Sequence, residues 1–332
     1  MNSVDVEQAA NCLRAGELVA FPTETVYGLG ADALNAEAVA RIYAAKGRPA
    51  DHPLIVHGAD GHTLLRLAHR VPVMARVLAE RFWPGPLTLV LPRVSAVPDA
   101  VTGGQDTVAL RVPDHPVALE LLAAFGGPVA APSANRYGRI SPTTAAHVRD
   151  ELGTAVDFIL DGGPCRVGME STIVDLSSDT PRLLRTGGLA RAAIEATLGL
   201  TLAAPVPMSP RVSGGLSVHY APATPLHLLS RSAIDFFLLE NRVCRQKVAV
   251  LAQTAPQIVY PDCRWQTVAA DAVHYARQLY AWLRDLDHSD VSIILIETPP
   301  RSPDWEAVLD RLTRASRGSG GASPSSVVIG HK

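Results

Sequence analysis

The chain has 332 residues, of which 47% are hydrophobic, and its formal net charge is -2. This length accommodates two domains with separate cores, and the hydrophobic content excludes an extensively disordered chain. The near-neutral balance, with a sequence pI of about 6.6, provides no basic field over the whole molecule. Tight nonspecific binding of nucleic acid is therefore not expected.

Cysteine usage and hydropathy indicate the compartment. The four cysteines form neither a CxxC pair nor a zinc-binding spacing, which favours reduced, buried thiols; they are Cys12, Cys165, Cys244 and Cys263. Apolar runs stay below the roughly 18 residues that a membrane span requires, and Asp5 and Glu7 stand where a signal peptide needs positive charge. We expect a soluble, cytoplasmic protein without membrane association.

Short apolar runs alternate with helical periodicity over the first 200 residues. The predicted strands are Leu18–Phe21, Leu54–His57, Leu87–Leu91, Val108–Val112, Val129–Ala131, Phe158–Leu160, Thr172–Leu176 and Arg182–Arg185. The predicted helices are Val6–Ala15, Ala36–Ala45, Val73–Phe82, Pro116–Phe125, Thr144–Leu152 and Ala190–Leu198. This alternation predicts an α/β domain over residues 1–200 with a mixed sheet, and chemistry is expected in the loops at the strand ends.

Proline and glycine replace this periodicity over residues 201–222, which predicts a linker. A second, small doubly wound α/β domain is expected over residues 223–316. Its predicted strands are Leu226–Leu229, Val248–Leu251 and Ile293–Ile296, and its predicted helices are Ala233–Glu240, Ala272–Leu286 and Trp305–Thr313. No GxGxxG fingerprint follows a strand there, so no dinucleotide is assigned. The Gly- and Ser-rich residues 317–332 are predicted to be a mobile tail.

Lysine is rare: three lysines stand against 27 arginines. The first, Lys46, lies beside Gly47, Arg48 and Pro49 at the end of a predicted helix. A compact ammonium next to a planar guanidinium suits phosphate. Taken alone, the same pattern also fits a solvated helix end.

Further polar loops follow the predicted strands. They comprise Pro22–Gly30, Thr107–Arg111, Ala131–Asn135 with Ser141, Glu170–Thr172 and Arg185–Gly188. Each has a structural alternative, namely a tight connection, a salt bridge at the rim or a plain turn. Walker A, HExxH, GxSxG and protein-kinase motifs are absent from the sequence. The loops therefore offer donors and hydroxyls instead of a nucleophile with its base.

Six segments together, in chain order, carry a family resemblance. They are Pro-Thr-Glu-Thr-Val-Tyr-Gly-Leu-Gly from Pro22, Lys-Gly-Arg-Pro from Lys46, Pro-Leu-Ile-Val-His from Pro53, Ser-Ala-Asn from Ser133, Glu-Ser-Thr-Ile-Val-Asp from Glu170 and Arg-Thr-Gly-Gly from Arg185. In this combination the chain resembles the threonylcarbamoyl-AMP synthase family with its YrdC-like domain. The resemblance spans Val6 to Leu200, and His-Tyr-Ala-Pro from His219 resembles the long, two-domain form. It implies a YrdC-like mixed twisted sheet domain followed by a small Rossmann-like α/β domain.

The resemblance also implies an activity. Members condense L-threonine, bicarbonate and ATP into threonylcarbamoyl-adenylate and pyrophosphate, which makes them nucleotidyltransferases that serve the threonylcarbamoyladenosine modification of tRNA. Magnesium is expected to be held mainly by ATP phosphates, with no protein metal site. A functional link to the tRNA threonylcarbamoyl-transferase complex and a weak contact with tRNA are further expectations.

Site residues follow from matching these motifs position by position. The implied catalytic residues are Lys46, Arg48, Ser133 and Asn135. The implied ATP-binding residues are Arg48, His52, Thr107, Ser133, Ser141, Arg185 and Tyr220. The implied L-threonine-binding residues are Thr25, His57, Arg111, the backbone of Ala131, and Ser171. Arg111 is expected to clamp the carboxylate, while Glu24 and Glu170 rank lower, as supporting carboxylates.

The chain departs from the family pattern at two places. His52 stands where the family usually has Asn, which replaces an amide with one ring donor or acceptor. Residues 213–218 lack the Pro-Gly-Met and the extra Tyr and Arg of some two-domain relatives, so only Tyr220 is a candidate to reach back over the nucleotide. We hypothesise that the linker acts as a lid.

Two other readings of the sequence remain. YrdC-like domains also occur in hydrogenase maturation proteins, but the acylphosphatase and cysteine-rich zinc segments of those proteins are missing from this sequence. The second alternative is a nonenzymatic RNA-binding module, which would bind RNA in a salt-dependent manner without releasing pyrophosphate.

Overall fold

The computed structural model describes residues 3–321 except 216, 245, 257, 259 and 261. The chain divides into two compact units, Met1–Tyr137 with Ser141–Gly215 and Gly138–Ile140 with Leu216–Lys332. Among the described residues, no helix is both long and apolar enough to cross a membrane.

The first unit is built on a nine-stranded mixed sheet in the order β7-β1-β2-β6-β3-β5-β4-β8-β9. Its strands are β1 Val19–Phe21, β2 Gly28–Asp32, β3 Ile55–His57, β4 Leu87–Pro92, β5 Thr107–Arg111, β6 Val129–Ala130, β7 Phe158–Ile159, β8 Thr172–Asp175 and β9 Arg182–Arg185. The pairs β1–β7, β3–β5 and β4–β8 are parallel, and the other neighbours are antiparallel. The carboxyl ends of two parallel neighbouring strands lie at the same edge of the sheet, so the polar loops that follow these strands lie close together.

Helices and several apolar clusters accompany this sheet. The helices are α1 Ser3–Arg14, α2 Ala36–Lys46, α3 Gly61–Leu64, α4 Val73–Phe82, α5 Asp99–Thr102, α6 Pro116–Phe125, α7 Ala145–Leu152 and α8 Arg191–Leu198. One cluster includes Leu13 of α1, Phe21 of β1 and Leu121 of α6. Another includes Ile42 of α2 and Leu89 of β4. Burial of these apolar side chains fixes the strands whose ends carry the polar loops.

Local chemistry sets the limits of α2. The Asn35 side chain accepts hydrogen bonds from the backbone N–H groups of Glu37 and Ala38, which caps the amino end. Gly47 ends the helix in a left-handed conformation with φ 61°, which glycine adopts without steric cost. Lys46 is consequently in the last turn and Arg48 lies just beyond it.

The predicted elements of this unit occur, with ends shifted by up to three residues. The prediction missed β2, because its Gly-Leu-Gly-Ala-Asp sequence has the composition of a loop. In the fold it lies inside the sheet, between β1 and β6. The four-residue helices α3 and α5 were missed as well, since they are shorter than two turns and show no periodicity.

The second unit contains a four-stranded parallel sheet in the order β10-β13-β11-β12. Its strands are β10 Leu226–Leu229, β11 Val248–Ala252, β12 Cys263–Thr267 and β13 Ile293–Glu297, and its helices are α9 Arg231–Cys244, α10 Ala272–Asp287 and α11 Glu306–Gly318. The prediction missed β12, an edge strand without buried residues. Within the predicted mobile tail, residues 317–321 continue α11 and then form a 3₁₀ turn, and the mobility of the tail stays a prediction. Residues 322–332 lie outside the described part of the chain.

The short segment Gly138–Ile140 belongs to the second unit although its neighbours in sequence belong to the first. Arg139 forms an ion pair with Asp287 at 3.0 Å, and Arg284 donates to the carbonyl of Ile140. The Asp287 carboxylate also accepts from the backbone N–H groups of Ala223 and Thr224. One buried carboxylate therefore ties together two stretches of the unit.

Candidate active site

Lys46 connects the end of α2 to the loop after β6. It is 3% exposed, and its ammonium donates to the backbone carbonyls of Ser133 and Asn135. Burial, reinforced by the nearby Arg48, lowers the pKa of Lys46 well below its ordinary value. Two segments predicted to form one catalytic core, 87 and 89 positions apart along the chain, are thus in contact.

The loop that carries Ser133 and Asn135 is fixed by backbone hydrogen bonds. Ala131 donates to Ile55 of β3, and Ala134 donates to Tyr27. Gly28 pairs with Ser133 as an isolated bridge. Satisfying the backbone in this way leaves the loop little freedom to move, as a preorganised site requires.

Arg48 lies beside an aromatic pair. Its Nη2 donates to the carbonyl of Pro53 at 3.0 Å, and its guanidinium stands 5.9 Å from the ring centroid of Tyr137. The Tyr137 hydroxyl is 3.3 Å from Nδ1 of His52. Burial and the charge of Arg48 lower the pKa of His52, so the ring is neutral at neutral pH and shares a hydrogen bond with the Tyr137 hydroxyl. The sequence interpretation missed Tyr137, whose only signal was its place two residues after Asn135.

Two predicted threonine ligands lie side by side at the ends of parallel strands. His57 of β3 is paired with Arg111 of β5. Burial and the charge of Arg111 lower the pKa of His57 to about 3, so this histidine is neutral. Arg111 donates through Nε to the carbonyl of Gly85 at 3.2 Å and meets Glu24 in an ion pair of 2.8 Å.

Thr25 lies in the turn between β1 and β2. Its hydroxyl is 2.7 Å from that of Thr23. The Thr23 hydroxyl also donates to the carbonyl of Val26 and accepts from the backbone N–H of Thr25 and of Val26. This network makes the turn rigid and buries the Thr25 hydroxyl, one of the groups predicted to contact threonine.

Arg185, a predicted ATP ligand, is hydrogen-bonded to Ser171, a predicted threonine ligand. Its Nε and Nη2 donate to the carbonyl of Ser171, and Nη2 lies 3.1 Å from the Ser171 hydroxyl. Ser141 donates to the Glu170 carboxylate at 2.6 Å. The last residue of β9 and the two residues before β8 therefore lie close to Ser141 and to one another.

Thr107 begins β5 and lines a depression on the sheet. The depression is also lined by Ile55, Val90, Ala109, Ile173 and the linker residues Arg211, Val212 and Ser213. Val212 packs against the apolar residues there. The Arg185 Nη1 donates to the carbonyl of Ser213 at 2.7 Å, and the Gln105 side chain both donates to and accepts from the backbone of Arg211. Sequence reasoning gave no sign of Gln105 or Arg211.

Tyr220 lies in the second unit. Its ring stacks on Tyr280 at 5.8 Å, with the Arg311 guanidinium 5.0 Å from its centroid. It is a buried residue with a positive φ of 62°. Its predicted role toward ATP stays a prediction.

Comparison with known proteins places the chain in a family. A family model described as "Telomere recombination", of the Sua5, YciO and YrdC proteins, matches residues 11–187. A second, described as "Threonylcarbamoyl-AMP synthase, C-terminal domain", matches residues 189–317. The threonylcarbamoyl-AMP synthase of Bacillus subtilis is 43% identical, over 96% of this chain and 94% of its own length. That of Pyrococcus abyssi is 42% identical, over 93% of both chains.

This chain belongs to the threonylcarbamoyl-AMP synthase family. The resemblance predicted from the sequence motifs is thereby confirmed. The crystal structure of P. abyssi Sua5 complexed with L-threonine superimposes with a TM-score of 0.87 at 40% identity, covering 95% of each chain. The predicted fold class of this family member is confirmed by that likeness.

Within the described part of this synthase-family chain, no group of three or more His, Cys, Asp or Glu side chains could hold a metal ion. What the site offers instead is a set of buried cations and hydroxyls held by backbone carbonyls. Such a set can orient anionic reactants and neutralise charge that develops between them.

Proposed function

We propose that the chain condenses L-threonine, bicarbonate and ATP into threonylcarbamoyl-adenylate and pyrophosphate, as a nucleotidyltransferase of the tRNA-modification pathway. The observation that carries this proposal is the contact of Lys46 with the carbonyls of Ser133 and Asn135. That contact joins two of the matched motifs into one cationic loop pair. The similarity to the threonylcarbamoyl-AMP synthases of B. subtilis and P. abyssi supports the same reaction.

The chemistry requires positioning and charge neutralisation. Bicarbonate takes up one proton and loses water to give carbon dioxide. The amine of threonine then adds to carbon dioxide and releases one proton, which gives a carbamate. A carbamate oxygen then attacks the α-phosphorus of ATP, the bond between the α-phosphorus and the α,β-bridging oxygen breaks, and pyrophosphate leaves. Because both partners are anionic, fixed cations lower the barrier without a covalent protein intermediate.

The residues divide between the substrates in this proposal. Lys46, Arg48, Ser133 and Asn135 hold the triphosphate and the reacting carbamate. ATP is also held by His52, Thr107, Ser141, Arg185 and Tyr220, whereas L-threonine is held by Thr25, His57, Arg111, Ser171 and the backbone of Ala131. The complex of P. abyssi Sua5 with L-threonine supports the assignment of an amino-acid site to the same fold.

Magnesium would arrive with the nucleotide. Mg²⁺ is a hard ion that keeps several waters and binds readily to substrate phosphates. We propose that the tRNA threonylcarbamoyl-transferase complex consumes the product. The proposed location of this chain is the cytoplasm, and the proposal includes a weak contact of the chain with tRNA.

We also propose that the linker acts as a lid at its residues 211–213. Val212 and Ser213 line the depression beside Thr107, so a nucleotide that contacts Thr107 requires this segment to shift. Once the nucleotide is bound, closure of the segment would slow its release. Val212→Ser in the full chain should weaken closure and raise the Kd for ATP, and an unchanged Kd would count against the lid.

Pyrophosphate release from ATP and magnesium tests the reaction, with L-threonine and bicarbonate omitted in turn. Dependence on both substrates is the expected result. Release without either would indicate a simple ATP hydrolase. No release under any combination, together with salt-dependent RNA binding, would favour a binding module.

A further inference from the structure

Glu24 is a buried carboxylate without a role in the proposed reaction. It is 0% exposed, and its Oε2 lies 2.8 Å from Nη2 of Arg111 in an ion pair whose side chains are 1% and 5% exposed. Neither carboxylate oxygen accepts a well-aligned hydrogen bond from the described residues. Burying a charge pair with so few hydrogen bonds contributes little to stability, so stability alone does not account for this one.

The turn that carries Glu24 is rigid. The Thr23 hydroxyl accepts from the backbone N–H groups of Thr25 and Val26, and the carbonyl of Glu24 accepts from Val167 at 2.8 Å. The carboxylate is therefore held in a fixed place beside Arg111. A fixed partner can orient a guanidinium, whereas a mobile one cannot.

Arg111 is the charged group that Glu24 faces. Two other titratable groups interact with the Glu24 carboxylate, His115 and Cys165. Burial lowers the pKa of His115, and burial together with Glu24 raises the pKa of Cys165 to about 12. Both groups are therefore neutral at neutral pH. Neither His115 nor Cys165 carries a positive charge that would compete with Arg111 for the Glu24 carboxylate.

The contacts of Arg111 leave one side of its guanidinium open. Nε donates to the carbonyl of Gly85 at 3.2 Å, and Nη2 meets Glu24. Within the described part of the chain, Nη1 donates to no residue. A guanidinium held on its Nε and Nη2 side presents Nη1 to an incoming carboxylate in a single orientation.

We propose that Glu24 is the positioning residue of the amino-acid site: with the carbonyl of Gly85 it fixes Arg111 so that Nη1 meets the substrate carboxylate. This inference rests on the proposed function, in which Arg111 clamps L-threonine. Glu24 acts on recognition of the carboxylate and touches neither the amino group nor ATP.

Ligand binding to Glu24→Gln tests the inference, because glutamine keeps the shape and removes the charge. Affinities are measured for L-threonine, for L-threoninol, which has the amine but no carboxylate, and for ATP. L-threonine should bind about tenfold more weakly or worse, as expected for loss of one charge-assisted contact. L-threoninol and ATP should bind as they do to the parent. Glu24→Asp, which keeps the charge but withdraws it by one methylene, should give an intermediate loss for L-threonine only.

A double-mutant cycle shows whether Glu24 acts through Arg111. In an Arg111→Gln background, Glu24→Gln should cost no further L-threonine affinity, because the group that it orients is gone. Glu195→Gln is the control. It removes a glutamate charge of the first unit outside the assigned site, where the carboxylate accepts from the backbone N–H of Leu202 at 2.9 Å, and should leave L-threonine affinity at the parent value.

Four results would overturn the inference. Unchanged L-threonine affinity in Glu24→Gln would show that Arg111 needs no orienting carboxylate. A parallel loss for L-threoninol would place Glu24 on the amino group, and a parallel loss for ATP would show a general structural role. An additive cycle would show action independent of Arg111. A parent that binds no L-threonine would instead refute the proposed function itself.

Discussion

At the residue scale, the site consists of cations removed from water. Lys46, Arg48, Arg111 and Arg185 are each less than a tenth exposed. Backbone carbonyls, from Ser133 for Lys46 and from Ser171 for Arg185, supply most of their partners. A carbonyl stabilises a cation without cancelling its charge, so the positive potential remains available to an anionic substrate.

Lys46→Met tests this arrangement, because methionine retains most of the stem and removes the ammonium. Pyrophosphate release should fall by about a hundredfold or more, as when one preorganised donor is lost from a charge-stabilising site. Circular dichroism should show an intact fold. Lys247→Met, which removes an exposed lysine of the second unit paired with Asp290, is the control and should keep parent activity. Near-normal turnover of Lys46→Met would refute its assignment to the catalytic core.

His52→Asn tests the departure from the family pattern. We expect activity equal to or better than that of the parent, because an amide offers both a donor and an acceptor where the neutral ring offers only one toward the nucleotide. The KM for ATP is the measurement. Tyr137→Phe removes the hydroxyl that binds Nδ1 of His52 and should raise this KM only when His52 is present. A severe loss in His52→Asn would show that the ring has a role of its own.

At the element scale, the loops are placed by strands that meet. The parallel pairing of β3 with β5 brings His57 beside Arg111, and the antiparallel pairing of β8 with β9 brings Arg185 toward Ser171. The turn after β9 closes tightly, since a Cβ on Gly187 would lie 2.2 Å from the carbonyl oxygen of Glu170. Close backbone approach explains the glycine there.

Gly187→Ala should displace this turn from Glu170 and Ser171. We expect a loss of about 1–3 kcal/mol in the free energy of unfolding, as for other insertions into packed structure. The Kd for ATP should rise as well, because Arg185 is two residues away on the same turn. Chemical denaturation and ATP titration measure the two effects. Parent values for both would show that the backbone there yields without cost.

The same scale shows what the sequence could predict. Strands with continuous apolar runs, such as β4, were predicted correctly because apolar side chains at successive positions indicate a buried strand. Strand β2 was not predicted. Its Gly28 and Gly30 lie against Phe21 and Val129, and the amino-acid composition of the segment does not reveal that this packing requires glycine. For the site, motif order indicated the residues, but the partners Tyr137 and Gln105 depend on tertiary contacts between distant loops. The site assignments therefore remain predictions to be tested by substitution.

At the scale of the whole molecule, the chain leaves the first unit and returns to it between two predicted site residues. Gly138–Ile140 belongs to the second unit, while Asn135 precedes it and Ser141 follows it. Asp287 holds this segment through Arg139 and holds the start of the second unit's own sheet region through Ala223 and Thr224. Packing of the second unit is thus connected covalently to the loop that carries Asn135, a predicted site residue.

Asp287→Ala should therefore weaken the second unit and, through residues 138–140, raise the KM for ATP. Loss of a buried carboxylate with three partners should cost about 2–4 kcal/mol in the free energy of unfolding. Burial alone would raise the pKa of Asp287, but the hydrogen bonds from Ala223 and Thr224 and the charge of Arg139 outweigh it, and the pKa is lowered from 3.8. The ionised form is the stabilising one, so the difference between parent and variant should be full above pH 3.8 and vanish as the pH falls through the lower, folded-state pKa. Thermal unfolding of parent and variant over a pH series measures this difference in stability. Asp290→Ala, at an exposed surface pair, is the control. A difference that grew on acidification would show that the ionised Asp287 carboxylate is not the stabilising form.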